Sequence, residues 1–480
     1  MTGEPPWVRL DPRMLLVHPL DELRKFIVPL AAAALFGASQ GGGPYVAILA
    51  IVVPIAIGVV RYLTTSYRIA DGRVELRRGL LNRQRLSTPV DRVRTVDLTA
   101  SLIHRVIGLT TVRIGTGGAG NDDGDLTLDG LTVEQGRTLR ATLLTDQRPV
   151  TEETAVQSPA AARFEPGWLR FAPFTSAGLA ILGGLVGGGG QLLSELDLQV
   201  DLPAEDLAGL AAVVVAVGLL LLVLVLTLVG YLVANWGFTL RRDGDTWQVS
   251  RGLLTTRETS IDVERLAGVA VAEPPGLRLA RGARLTAIVT GLGSAQSGSR
   301  VLVPPAPAAV VRVAGGAVLG SDEPLVAPLT PHGAAAVRRR WVRALGPAAL
   351  VAALPALLVM VGGPGWLLVI TVLVLLAGAG LAVDRVRALG HAVVAGHFVA
   401  RSGSLLRHRE ALAVSHVIGW SFRDTWFQRR AGLTTLAATT AGGSGKVEAL
   451  DVPVREAVGV AAAVTPDLVA QFTAGEPVHS

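Results

Sequence analysis

The chain has 480 residues, of which 50% are hydrophobic and only 17% charged, and its mean hydropathy is +0.48. A typical soluble domain carries about 25% charged residues, so this composition excludes a purely soluble protein and indicates membrane segments. The absence of cysteine excludes disulfides, thiolate metal sites and cysteine nucleophiles. The net charge is +6, and apart from Lys25 and Lys446 every basic residue is an arginine.

Apolar segments occur in pairs along the chain. Residues 1–23 contain Pro5-Pro6 and acidic residues rather than a continuous apolar core, so they predict a cytoplasmic segment and not a signal peptide. The three pairs that follow predict transmembrane hairpins at 24–61, 168–236 and 344–384, six spans in all.

The charge distribution predicts the orientation of these hairpins. Their short loops (40–44, 187–206 and 362–365) contain no Lys or Arg. The positive-inside rule therefore places both termini and the regions between the hairpins in the cytoplasm of a bacterial inner membrane. The spans themselves lack Asp, Glu, Lys, Arg and His, which argues against the alternative of a transporter or channel, because coupled transport usually needs such residues near the bilayer centre.

A similar polar region follows each hairpin, at 62–147, 237–322 and 385–474. Each region consists of short alternating runs separated by turn signals, which is typical of a small antiparallel sheet. Helical patterns end the regions, at 133–144, 307–319 and 454–472. The remaining residues form linkers at 148–167 and 323–343 and a tail at 475–480.

Glycines recur at matching places in the three regions and predict tight turns. The interval from the second glycine to the third is 29, 30 and 29 residues, so the chain is read as an internal triplication. The predicted structural turn positions are Gly72, Gly79 and Gly108, then Gly244, Gly252 and Gly282, then Gly396, Gly403 and Gly432.

The repeated pattern of hairpin, Y-x-[IL]-x-x-G, G-L-L and R-x-x-G-L-x-x-[VL] resembles the bacterial pleckstrin-homology-like (PH-like) domain of YdbS/YdbT-type membrane proteins. The first region matches best, from Tyr67 to Val112, whereas Pro274-Pro275-Gly276 makes the second divergent. The resemblance implies three cytoplasmic all-β or α+β PH-like domains, each a small antiparallel sheet with a C-terminal helix. It also implies a complex with a related membrane protein, and part of the family is associated with resistance to membrane-active peptides.

Arginines cluster at the first hairpin of each domain, where eukaryotic pleckstrin-homology domains often grip anionic headgroups. Each basic residue near an anionic leaflet contributes about 1 kcal/mol to membrane attraction. Two interpretations stay open: charge that only orients an already tethered domain, or specific binding of a headgroup or peptide. The candidate ligand-facing residues are Arg77, Arg78, Arg83, Arg85, Arg401, Arg407 and Arg409.

Two glycine-rich motifs resemble nucleotide sites but lack their context. Residues 115–120 form a GxGxxG that leads into an acidic turn rather than a helix, and 442–446 lack the first glycine and the Ser or Thr of a phosphate loop. Both are interpreted as solvent hairpins, and no histidine spacing predicts a metal site.

We therefore expect a non-enzymatic membrane protein without cofactors that acts as a binding or scaffolding platform. Its expected partners are the lipid bilayer, anionic headgroups, and either a membrane-protein partner or a second copy, with no nucleic acid. The alternatives are a transporter formed by the six spans, and a lipid enzyme for which no convergent nucleophile and base can be assembled.

Overall fold

The computed structural model describes residues 7–15, 17, 43–70, 72–79, 84–90, 93, 95–115, 126–145, 159–175, 178, 205–290 and 300–466. These residues fall into two compact units. Unit one contains Met1–Ala160, Trp236–Arg265 and Gly291–Ser299. Unit two contains Ala161–Asn235, Leu266–Thr290 and Arg300–Ser480.

The described strands follow the predicted triplication. The first repeat has β1 (Val8–Arg9), β2 (Ser66–Ala70), β3 (Arg73–Arg78), β4 (Gln84–Pro89), β5 (Thr95–Ala100), β6 (Leu109–Gly115) and β7 (Leu126–Thr132). The second has β8 (Ala162–Arg163), β9 (Thr239–Asp243), β10 (Thr246–Arg251), β11 (Thr256–Asp262), β12 (Leu266–Glu273), β13 (Gly282–Val289) and β14 (Val301–Pro307). The third has β15 (Gly390–Val394), β16 (His397–Gly403), β17 (Arg407–Ala413), β18 (Gly419–Arg423), β19 (Leu433–Thr439) and β20 (Lys446–Pro453).

The helices are equally periodic. In chain order they are α1 (Gly43–Thr64), α2 (Leu102–Ile107), α3 (Val133–Thr145), α4 (Glu205–Asn235), α5 (Pro275–Leu279), α6 (Ala308–Leu319), α7 (Glu323–Val326), α8 (Gly333–Met360), α9 (Leu367–Arg387), α10 (Trp426–Arg430) and α11 (Val454–Val464). Each repeat has a first half of three strands in a meander. Its second half has three strands, a short helix after the first of them, and a C-terminal helix.

Unit one is built around two sheets. One has the order β1-β2-β3-β4, and the other contains β7-β6-β5-β11-β10-β9 as consecutive neighbours. Alternate residues of β3 and β5 face a shared apolar core, as expected for strands with one buried face. Its fully buried members include Val74, Val96, Val112, Ile114 and Leu128.

The described N-terminal residues are part of the fold of this first domain, although the sequence predicted only a separate segment at 1–23. Val8 pairs with Tyr67, so β1 adds an edge strand to the first sheet. Leu10 and Met14 are buried, and the amide of Asp11 donates to the carbonyl of Gly130. Gly130 leaves the space that the side chain of Met14 fills.

Unit two repeats the arrangement with sheets of order β14-β13-β12-β17-β16-β15 and β18-β19-β20. Its core joins residues of the second half of repeat two and both halves of repeat three. Fully buried members include Ala267, Phe398, Leu412, Leu436 and Val452.

The second repeat is divided between the two units. Its first three-strand meander continues the sheet of repeat one through the pair β11·β5, and its second half continues into repeat three through β12·β17. Both pairs are antiparallel. We call these two strand pairs junction one and junction two. The sequence predicted the repeats but treated each as a separate sheet.

Three described helices are long and apolar enough to cross a membrane: Val217–Asn235, Gly333–Met360 and Leu367–Arg387. The structure thus describes three candidate spans where the sequence predicted six. α1 covers the second arm of the first hairpin, and most of the first arms of hairpins one and two lies outside the described residues. The hairpin predicted at 168–236 begins differently: Pro166–Phe174 is a 3-10 helix with Trp168 and Phe171 buried.

The turn glycines have positive φ as predicted, with one correction. In the second repeat the positive φ falls on Arg281 (56°) rather than on Gly282. Gly282 is required for space, since a Cβ there would lie 2.4 Å from the ring of Phe171. The other predicted positions have positive φ, namely Gly72, Gly79, Gly108, Gly244, Gly252, Gly396, Gly403 and Gly432.

Candidate membrane-interface site

The hairpin between β16 and β17 ends in a tight turn with two exposed leucines. Gly403 has φ 107°, and a Cβ there would lie 2.0 Å from the carbonyl oxygen of Leu406. The turn therefore requires glycine. It projects Leu405 and Leu406 outward, with 55% and 60% of their surfaces exposed.

The hairpin between β10 and β11 has the same construction. Gly252 has φ 112°, and its Cβ would meet the carbonyl oxygen of Thr255 at 2.0 Å. Leu254 is exposed at the turn. The corresponding turn of repeat one, 80–83, lies outside the described residues.

Both turns are bonded to the end of a candidate span. In repeat two the amide of Gly252 donates to the carbonyl of Trp236, which directly follows α4 (2.9 Å). In repeat three Arg407 donates to Asp384 of α9 (2.8 Å), and Arg401 donates to the carbonyl of Arg387 (2.7 Å).

The two contacts of repeat three fix the orientation of the β16–β17 hairpin relative to α9. Arg407 pairs with Gly403 at the turn, whereas Arg401 lies two residues further from it. Their partners Asp384 and Arg387 lie in the same order, one helical turn apart, with Asp384 nearer the apolar body of α9. Moving toward the turn therefore means moving toward the apolar body of α9, and Leu405 and Leu406 lie beyond Arg407 in that direction.

The short helices of the second halves add further exposed apolar side chains. Val106 of α2, Leu279 of α5, and Trp426 and Phe427 of α10 are exposed, Phe427 by 69%. Arg105 of α2 donates to the carbonyl of Leu253 in the next repeat's turn (2.7 Å). Likewise, Arg278 of α5 pairs with Asp384 (3.0 Å). We use the name interfacial surface for these features of each unit taken by itself: the β10–β11 turn and α2 in unit one, and the β16–β17 turn with α5 and α10 in unit two.

The candidate arginines of repeat three have intramolecular partners. Besides the bonds of Arg401 and Arg407, Arg409 donates to the carbonyls of Pro324 (3.0 Å) and Ala327 (2.8 Å). Burial lowers the pKa of Arg409 to about 10. These three side chains therefore hold the β16–β17 hairpin against α9 and the segment before α8.

The candidate arginines of repeat one surround an aromatic ring. The guanidinium of Arg77 lies 3.8 Å from the ring centre of Trp7, and that of Arg85 lies at 5.7 Å. Arg85 also pairs with Glu75 (3.0 Å), and hydrogen bonds from Arg68 and Arg85 lower the pKa of Glu75. Arg83 and the side chain of Arg78 lie outside the described residues.

A buried ionic cluster anchors α8 to domain three. Asp451 is fully buried and has φ 58°. It pairs with Arg339 and with Arg340 (2.7 Å), and its Oδ1 accepts from the side-chain Nε2 of Gln428 (2.9 Å). Neither Asp451 nor this pairing was predicted, because opposite charges 112 residues apart give no local pattern.

Two buried histidines lie beside this cluster. His332 Nδ1 is 2.8 Å from the carbonyl oxygen of Leu450, which can only accept, so Nδ1 carries the proton. His332 Nε2 then accepts from His391 Nδ1 (3.0 Å). Burial and the neighbouring His391 lower the pKa of His332 to about 4, and burial lowers that of His391.

The Gly442–Lys446 loop is a hairpin whose amides point inward. Gly443 donates to the carbonyl of Val289 (3.3 Å) and Gly445 to that of Gly442 (2.9 Å). These donors are therefore not arranged to hold a phosphate. Most of the GxGxxG motif, 116–120, lies outside the described residues.

Sequence reasoning missed the interfacial surface, although its signal was present. The G-L-L motif recurred with the repeat, and exposed leucines at the described turns (Leu254, Leu405 and Leu406) need a reason beyond turn geometry. The apolar residues of α2, α5 and α10 gave a weaker signal, since single exposed apolar residues are normal on proteins.

Comparison with known proteins agrees with the triplicated fold. The family model described as Bacterial PH domain matches residues 25–147, 181–313 and 347–463. The UPF0699 transmembrane protein YdbT of Bacillus subtilis (strain 168) is 21% identical over 242 residues, which are 46% of this chain and 48% of YdbT. The matched segment thus spans about half of that relative's length, and no solved structure matches. Three successive matches that cover most of the chain, with the repeated sheets and apolar helices, show that this membrane protein belongs to the bacterial PH domain family.

Proposed function

We propose that this protein is a non-enzymatic platform in the bacterial inner membrane. In this proposal six spans hold three PH-like domains on the cytoplasmic face, with both termini on the same side. The interfacial surface contacts the lipid, and the remaining domain surface is presented to partner proteins. The observation that carries the proposal is the direction of the β16–β17 hairpin, whose leucines lie beyond Asp384 toward the body of α9.

The chemistry of the interfacial surface supports lipid contact. Exposed leucine, tryptophan and phenylalanine gain free energy when apolar area leaves water, at about 25 cal/mol per Å², and aromatic rings favour the headgroup level. The arginines beside them are tied to backbone and carboxylate groups. The proposal therefore gives apolar insertion, rather than a headgroup pocket, the main part.

The test uses the absence of cysteine in the natural chain. Leu405→Cys, labelled with an environment-sensitive dye, is reconstituted into vesicles of phosphatidylcholine and phosphatidylglycerol with spin-labelled acyl chains. We expect a blue-shifted emission and strong quenching by a shallow spin label. The control is Val393→Cys, an exposed residue of the neighbouring strand β15 that lies opposite Phe398, near the end of β16 far from the leucine turn.

Equal and weak quenching at positions 405 and 393 would contradict lipid contact. Saturable flux of a solute through the same vesicles would favour the transporter alternative. Lipid turnover by the reconstituted protein would favour an enzyme. Retained quenching with neither flux nor turnover is the outcome that the platform predicts.

A further inference from the structure

Two strand edges are left over at the ends of the repeat series. β4 is the last strand of its sheet and β18 the first strand of its own, and neither has a neighbour on its outer side among the described residues. β4 is the strand of repeat one that corresponds to β11 of repeat two and β17 of repeat three. β18 is the strand of repeat three that corresponds to β5 of repeat one and β12 of repeat two. The two free edges are thus the same two types that pair at junction one and junction two.

Both internal junctions use one register. At junction one Thr256, four residues after Gly252, lies opposite Ala100, eight residues before Gly108. At junction two Arg407, four residues after Gly403, lies opposite Glu273, nine residues before Gly282. The second repeat has one additional residue between its second and third turn glycines. Ala100, eight residues before Gly108, and Glu273, nine residues before Gly282, are therefore equivalent positions.

The same register can be applied to the free edges. It places Gln84 opposite Arg423 and Ser87 opposite Trp420. At junction one the equivalent of the second pair is Ser260 opposite Val96, where a small side chain lies beside a core residue of the preceding domain. Trp420 likewise packs on the core of domain three, so the alternation of faces is preserved.

The end of repeat three also has the side chains that a following repeat would cover. Phe422 of β18 and Trp426 of α10 are exposed. Arg429 is 65% exposed and lies three residues before Gly432, as Arg105 lies three residues before Gly108. Arg105 bonds the turn of the following repeat at Leu253, whereas the described partner of Arg429 is Asp424 of its own repeat, at 3.8 Å.

We infer that β18 of one molecule pairs with β4 of a second copy of this chain, so that the repeat series continues from molecule to molecule. This inference rests on the proposed function in one respect, that all copies face the same side of one membrane. The contact joins two different surfaces and therefore forms either a closed ring or an open row. Exposed strand edges are the surfaces that proteins either cover or pair.

Cross-linking between two tagged copies tests the inference. One copy carries Gln84→Cys and the other Arg423→Cys, and both are co-expressed and oxidised in native membranes. Residues opposite each other on antiparallel strands have Cβ atoms about 4.5–5.5 Å apart, within reach of a disulfide after small adjustments or of a short bismaleimide. We expect a covalent dimer that contains both tags.

The matched control replaces Gln84→Cys with Arg73→Cys, an exposed arginine on the interior strand β3, and should give little product. Equal yields for the two pairs, or no dimer from the first, would overturn the inference. Cross-linking of Arg423→Cys to a related protein in place of the second copy would also overturn it. The dye at position 405 reports lipid contact separately, so failure of one proposal is distinguishable from failure of the other.

Discussion

Arg105 donates a hydrogen bond of 2.7 Å to the carbonyl oxygen of Leu253, a residue 148 positions further along the chain. This bond joins the short helix of one repeat to the leucine turn of the next. It lies beside the strand pair of junction one and helps to fix where the turn projects. We expect Arg105→Ala to destabilise unit one by about 1 kcal/mol, the usual contribution of a partly exposed hydrogen bond.

Hydrogen exchange of residues 252–256 provides the measurement, with faster exchange expected in the variant. Arg137→Ala is the matched control, because Arg137 is an exposed arginine on α3 of the same unit. Unchanged exchange at the turn in Arg105→Ala would mean that the bond does not hold it.

The turn glycines should differ sharply in their tolerance of a methyl group. Gly252→Ala and Gly403→Ala each place Cβ 2.0 Å from a backbone oxygen, so the turn must open, and we expect a loss of about 3 kcal/mol or more. Gly244 and Gly396 also have positive φ but open space around Cβ, so alanine there should cost about 1 kcal/mol. Thermal unfolding in detergent compares the four variants, and equal costs would count against this explanation.

The sequence predicted those features that depend on local chemistry. Turn glycines such as Gly252, the alternation of strands and the C-terminal helices follow from backbone preferences and periodicity. Helix α3 lies where the pattern predicted it, and α11 begins at the predicted Val454 but ends at Val464. The pairing of β5 with β11 could not be predicted, since any edge strand of suitable length can pair and the choice depends on tertiary arrangement. The role of Arg409 was hidden for the same reason, because its carbonyl partners lie 82 and 85 residues away.

Asp451 should be among the most sensitive residues of unit two. Asp451→Asn preserves the shape of the side chain and tolerates positive φ, but it removes the charge that Arg339 and Arg340 face. Breaking a buried pair from one side costs about 3–5 kcal/mol. The control is Asp424→Asn, whose exposed carboxylate lies 3.8 Å from Arg429 and should contribute little.

Chemical denaturation in detergent at neutral pH measures both variants. Similar midpoints for Asp451→Asn and Asp424→Asn would show that the buried cluster does not stabilise the join between α8 and domain three.

Glu410 should make unit two lose stability as the pH rises from about 4.5 to about 7. Burial, together with Glu448, raises the pKa of Glu410 to about 7 from an ordinary value of 4.5. The folded state then holds a proton that the unfolded state has lost between these values, so the free energy of unfolding decreases as the pH rises through this range. Glu410→Gln should remove this penalty, on the order of 3 kcal/mol at pH 8, and raise the melting temperature there.

The comparison for Glu410 is the exposed Glu323→Gln, which should leave the pH profile of the melting temperature unchanged. A melting temperature of Glu410→Gln that stays below the natural protein's at pH 8 would contradict the assignment.

His332 should give the opposite pH dependence. Its pKa is about 4 in the folded protein and 6.5 ordinarily, because the buried ring is bonded in its neutral form between Leu450 and His391. As the pH falls from about 6.5 to 4, the unfolded state binds the proton first, so the free energy of unfolding falls by an amount on the order of 3 kcal/mol. That stability is fully present above pH 6.5.

His332→Asn should remove most of this loss of stability between pH 6.5 and 4, while lowering the free energy of unfolding at pH 7.5. The control His397→Asn, on an exposed turn, should change neither quantity. Unfolding midpoints at pH 7.5, 6 and 5 provide the measurement. If the midpoint of His332→Asn fell with pH as steeply as that of the natural protein, the loss of stability would belong to other groups.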